Sequence, residues 1–120
     1  MNGPVDVEGE LIGYLAPLVG VPVSTRIPNP RPASHVKVTR AGGQQLNLVQ
    51  ERPLMIVECW AGTSPAAFAL AAEAVGHLRS HRWFSPHEGF SSPVNQPDPD
   101  TTAARYQFTC QPYVTYEEAV

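Results

Sequence analysis

A chain of 120 residues has room for one domain, 1–120, which buries roughly two thirds of its unfolded surface. Its apolar share of 42% is ordinary, its charged share of 16% falls below the usual ~25%, and its formal net charge is −3. This balance argues against specific nucleic-acid binding, since the whole chain is acidic and the basic residues of 26–52 have no aromatics interleaved among them; two cysteines make no metal framework; and the apolar run 11–23 is too short to span a bilayer and is broken by Pro17, Gly20 and Pro22.

Residues 5–18 carry Val7, Leu11, Tyr14, Leu15 and Leu18 near helical spacing, with Asp6, Glu8 and Glu10 early, where the helix dipole favours acids. This predicts a helix that Pro17 and Gly20 end. The β-branched, alternating stretch 21–27 reads as a strand, and Pro28-Asn-Pro-Arg-Pro32 as a stiff extended connector. Val36 and Val38 alternate with His35, Lys37 and Thr39. Gly42-Gly43 breaks that strand, and a short strand over 46–49 completes a hairpin with its polar tip at Gln44-Gln45.

The run 54–61 is apolar on both faces except for Glu58, which predicts a central strand covered by a helix on one side and by something else, such as a neighbouring subunit, on the other. Thr63-Ser64-Pro65 is a helix start, a hydroxyl cap followed by proline in the first turn, and the alanine-rich helix should run to about Arg82. Residues 83–102 form a long connection rich in proline, part of it extended and packed because it carries Phe84 and Phe90. Residues 105–116 alternate Tyr106, Phe108, Cys110, Val114 and Tyr116 against polar residues, a strand in which Pro112 marks an edge or a bulge. The fold class is α+β. The expected order is α-β-β-β-β-α-β, with two helices and a mainly antiparallel or mixed sheet of four to five strands.

Motifs for chemistry are few. The chain has no P-loop, dinucleotide fingerprint, Gly-x-Ser-x-Gly elbow or His-Glu-x-x-His helix. His77 and His81, four apart, with Glu73 and His87, have the spacing of a zinc site; a helix C-terminal turn with dipole-compatible residues explains them more simply. Cys59 lies within an apolar strand, where burial makes a thiol inert. Glu58 reads as a buried acid or as an interface residue paired with a neighbour's arginine. The reading is a non-enzyme with no catalytic residue, cofactor or metal.

Charge is distributed unevenly. Arg26, Arg31, Lys37, Arg40 and Arg52 make a basic middle between acidic ends, with three acids in residues 1–20 and five from Ser85 onward against Arg105. Two readings stand open: a head-to-tail contact between identical subunits, or solvated loops with incidental charges.

With these segments in place, the chain resembles the tail terminator proteins of long-tailed bacteriophages over nearly its whole length. The likeness is carried by Val21-Pro-Val-Ser-Thr-Arg-Ile-Pro28, Pro32-Ala33, Val36-Lys-Val-Thr-Arg-Ala-Gly-Gly43, Arg52-Pro53, Ile56-Val-Glu-Cys-Trp-Ala61, the helix from Ser64, and Pro97-Asp-Pro-Asp100 leading to Arg105-Tyr-Gln-Phe108. The resemblance implies a virion protein, made in the host cytoplasm, that forms a hexameric ring on the tail tube. Such a ring ends tube polymerisation and joins the tail to the head connector. Its implied partners are copies of itself, the major tail tube protein and a head-completion protein, with DNA passing through the lumen without specific binding and no membrane. By analogy the inter-subunit or tube contacts fall at Arg40, Gln44, Gln45 and Arg52 and along the loop at Phe84, Phe90, Asp98 and Asp100. The alternatives are another head–tail joining or tail-completion protein, a small metal-dependent hydrolase built on His77 and His81, or a binding module whose 83–99 loop grips a ligand.

Overall fold

A computed structural model describes residues 2–85 and 88–118, with side chains of the two-residue terminal strands left aside. The elements are β1 (Asn2–Gly3), α1 (Val7–Val19), β2 (Val23–Ser24), β3 (His35–Gln45), β4 (Gln50–Ala61), α2 (Ser64–Leu78), β5 (Val94–Asn95), β6 (Ala104–Cys110), β7 (Val114–Thr115) and β8 (Glu117–Glu118). The main sheet has six strands in the order β2-β3-β4-β6-β5, with β7 pairing the start of β4; β1 and β8 pair separately. The class is α+β with two helices, as the pattern implied, but the strand order is richer than expected. The sheet is mixed through one parallel pair, β2 with β3. Parallel neighbours cannot be joined by a tight turn, and this accounts for the long proline-rich link over 25–34.

Local chemistry sets the helix ends. The Asp6 carboxylate accepts from the Gly9 amide and starts α1, and Gly20 at φ +70° stops it. Pro17 does not end the helix. It sits inside the last turn, where the hydrogen bond it removes would have gone to the exposed Gly13, whose carbonyl water can satisfy. Thr63 caps α2 through its hydroxyl, with Pro65 in the first turn. That helix stops at Leu78 rather than near Arg82, because tight turns from Ser80 to His77 and from His81 to Leu78 fold His81 inward.

Strand corrections follow the same logic. Residues 46–49 form the turn of the hairpin, not a strand, and β4 runs unbroken from Gln50 to Ala61. Gly42-Gly43 does not end β3 but makes a bulge at which the register shifts. A Cβ on Gly43, at φ +122°, would stand 2.4 Å from the Pro53 Cα, so this position requires glycine. Only Val23–Ser24 of the expected strand 21–27 pairs. β6 is flanked by β4 and β5 and is not an edge; Pro112 interrupts it, and the chain resumes as β7 against Glu51. Part of the long connection is tied to the sheet: Phe90 bridges to Cys110 and Val94–Asn95 adds β5 along β6.

Both helices lie on one face of the sheet. Leu11 and Leu15 of α1, Leu78 of α2, and Val38, Met55, Val57 and Phe108 of the strands form one buried cluster. The opposite face carries Lys37, Thr39, Leu54, Ile56, Glu58, Gln107 and Thr109, half-buried and outside that cluster. Among the described residues no helix is long and apolar enough to cross a membrane.

Candidate assembly surfaces

The residues first considered for chemistry are engaged within the subunit. His77 Nε2 lies 3.6 Å from its helix neighbour Glu73. His81 lies past the helix end and is buried, with Nδ1 accepting from the Trp83 amide at 3.1 Å. That bond leaves the ring hydrogen on Nε2, which faces a Glu10 oxygen at 3.2 Å. The two histidines therefore serve separate contacts, and His87 lies outside the described residues. No three His, Cys, Asp or Glu side chains converge as metal ligands among the described residues. Cys59 and Cys110 are free and buried, and burial pushes each thiol up to about 12. Glu58 meets its own chain's Arg105 at 3.7 Å.

At the Ala61 end of β4, loops close around Trp60. The indole N–H donates to Asp98 Oδ2 at 3.2 Å, Arg31 Nη2 meets the same oxygen at 2.8 Å, and the Asp100 amide donates to Oδ1 at 2.9 Å. Arg31, then the Asp100 amide, hold the Asp98 carboxyl well below the usual carboxylate range. His35 stacks on Trp60 with centroids 4.5 Å apart and planes at 12°, while the guanidinium carbons of Arg31 and Arg105 each stand 5.6 Å from the indole ring. Burial first, and Arg31 second, lower the His35 pKa, so the ring is neutral and neither nitrogen makes a hydrogen bond of good geometry. A cavity of about 640 Å³ opens beside this cluster, lined in part by Thr63, Asn95 and Thr102. Its lining Arg31 is already paired with Asp98. The arrangement pins the 96–103 turn to the sheet, and Asp98 is an internal anchor there, buried at 6% exposure, while Asp100 is exposed.

The other end of the same hairpin is built differently. Arg40 forms its root: the guanidinium meets the buried Glu51 carboxylate, and the backbone amide donates to Glu8 Oε2 at 2.7 Å. Arg52 lies with its guanidinium carbon 4.4 Å from the Tyr113 ring centroid. Beyond this root, residues 41–50 are all exposed. Asn47 organises the tip by accepting from the Val49 amide and donating to Gln50 Oε1. The tip carries aliphatic side chains into solvent: Leu46 is 42% exposed, Val49 43% and Leu48 86%.

Of the residues expected at contacts, Gln44, Gln45 and Asp100 are exposed, Arg40, Arg52 and Phe90 are partly buried, and Phe84 and Asp98 are buried. Phe84 packs on Phe90, with centroids 5.0 Å apart, and joins the core. Leu46, Leu48 and Val49 were missed, because an aliphatic pair flanking Asn47 reads as strand. The signal against a strand was the lack of alternation across Leu48-Val49.

A shallow apolar groove of about 320 Å³ lies between the α1–β2 turn and α2, lined by Val19, Val21, Ala66, Ala69, Leu70 and Glu73. Compared with known proteins, the chain matches no protein-family model and no curated protein.

Proposed function

We propose that this chain is a structural subunit that assembles into a ring, working as a tail terminator that caps a phage tail tube and joins it to the head connector. The observation that carries the assembly part of this reading is the hairpin arm 41–50. Its tip carries Leu48 86% exposed, while the strands behind it stay paired, residues 43–45 with 51–53 of β4 and Gln50 with Thr115 of β7. Contiguous aliphatic groups at the end of a projecting arm gain free energy when another surface removes them from water, by about 25 cal/mol per Å² buried. The opposite sheet face adds Leu54 and Ile56, half-buried among polar neighbours and outside the core.

The specific role rests on the resemblance along the chain, from Val21-Pro-Val through Arg105-Tyr-Gln-Phe108. A ring on the end of a tube needs copies that fit one another and two distinct outer faces; it needs no reactive centre. The proposed partners are therefore further copies, the tube protein and a connector protein. The test is electron microscopy of the purified chain, alone and added to growing tail tubes. Uniform rings that sit at tube ends and shorten the tubes support the reading. Tubes of unchanged length with bare ends contradict it.

A further inference from the structure

Two partly exposed apolar surfaces, the 46–49 tip and the α1–α2 groove, lie at opposite ends of the β3–β4 hairpin. β3 begins at His35, just after Ser34, which lines the α1–α2 groove, and runs to the arm; β4 returns to Ala61, which lines the groove again. Along strands of this length the two are separated by roughly 35 Å at ~3.3 Å per residue, so an arm cannot fold back into its own groove.

The surfaces match in chemistry. Residues 41–50 contain no ionisable side chain, and their tip presents Leu46, Leu48 and Val49. In the groove, exposed Ala66 and Ala69 leave a slot between the aliphatic Val19, Val21 and Leu70, a concave counterpart to a protruding leucine. Charge agrees in sign as well. The groove's charged lining residue is Glu73, whereas Arg52, stacked on Tyr113, stands at the root of the arm.

We infer that the arm of one copy seats in the groove of the next, with Leu48 entering between the α1–β2 turn and α2 of a second copy of this chain. The inference rests on the ring-forming reading above and names the contact that builds it. Because knob and slot are different surfaces at opposite ends, the contact is heterologous. Each copy gives an arm and receives one, and the chain of contacts closes into a ring where the rotation between copies permits.

The test mixes two single-cysteine variants, L48C and A69C, under mild oxidation, with L48D as a companion and the mass of the unmodified protein measured alongside. Cys59 and Cys110 are fully buried and contribute no background. A disulfide needs Cα atoms within about 7 Å, so only seated arms cross-link. The expected result is a band at twice the 13.0 kDa subunit mass in the mixture and in neither variant alone, with L48D reduced to monomer while keeping a native circular dichroism spectrum. An oligomer that forms without the mixed cross-link, and that L48D leaves intact, overturns the arm-in-groove contact but not the ring. A chain that stays monomeric at every concentration overturns both.

Discussion

The two ends of the β3–β4 hairpin solve opposite problems with the same two strands. At the Ala61 end, a buried carboxylate gathers its partners: Asp98 holds Arg31, the Trp60 indole and the Asp100 amide, and the loop 96–103 is tied to the sheet. At the arm end, Arg40 and Glu51 form the buried ion pair, and beyond it the ladder runs to Gln45 and aliphatic side chains of the turn meet water. The difference teaches that the charges at these two ends are spent within the subunit. The uncovered tip itself is neutral and apolar, so contacts made through it should depend on shape and area more than on ion pairs.

Substitutions at the closed positions should therefore unfold the subunit, and substitutions on the arm should leave it folded. The largest loss is expected for Arg40→Glu, which leaves the buried Glu51 facing a like charge; urea denaturation should show a deficit of about 3–5 kcal/mol. Were Arg40→Glu as stable as wild type and merely unable to assemble, Arg40 would belong to an interface after all. Asp98→Ala should cost about 2–3 kcal/mol by removing charge-assisted hydrogen bonds to Arg31 and Trp60.

The same cluster sets an acid response. The native Asp98 pKa lies below the unfolded value of about 3.9, so its stabilisation is present above that pH and fades as pH falls through the native value. The His35 pKa is also lowered, so below pH 6.5 the unfolded chain takes up a proton that the folded chain resists. Thermal melts from pH 7 to 3 should show a decline that starts below pH 6.5 and steepens below 4. Asp98→Asn should remove the second part, and His35→Gln the first.

A smaller loss, roughly 1–3 kcal/mol, is expected for Gly43→Ala, since alanine there meets the Pro53 backbone at a positive φ. The smallest is Leu48→Ser, whose denaturation midpoint should stay within about 0.5 kcal/mol of wild type. A clear destabilisation by Leu48→Ser would mean that the tip packs on its own subunit.

What the sequence made legible was whatever neighbours in the chain decide. Thr63-Ser64-Pro65 announced α2 because capping needs no distant partner, and Gly20 stopped α1 through its own φ. The alternation of Tyr106, Phe108 and Cys110 marked β6 because one of its faces is core. What distant partners decide was not legible. Asp98 meets Trp60 and Arg31 from 38 and 67 residues away, so it looked like an exposed loop acid. The inward fold of His81 depends on Glu10, 71 residues earlier. Gly42-Gly43 carried the signature of a break and serves instead as a bulge, which moved the tip from Gln44-Gln45 to residues 46–49. The arm was hidden for a related reason: aliphatic residues are ordinarily core, and only the fold shows that Leu48 is left in solvent.

Sedimentation velocity of the purified chain across a wide concentration range tests most directly whether the uncovered arm makes this subunit assemble. The account predicts a closed, discrete species several times the 13.0 kDa subunit mass that grows with concentration and disappears in L48D. A single monomer boundary throughout, identical for wild type and L48D, would contradict it.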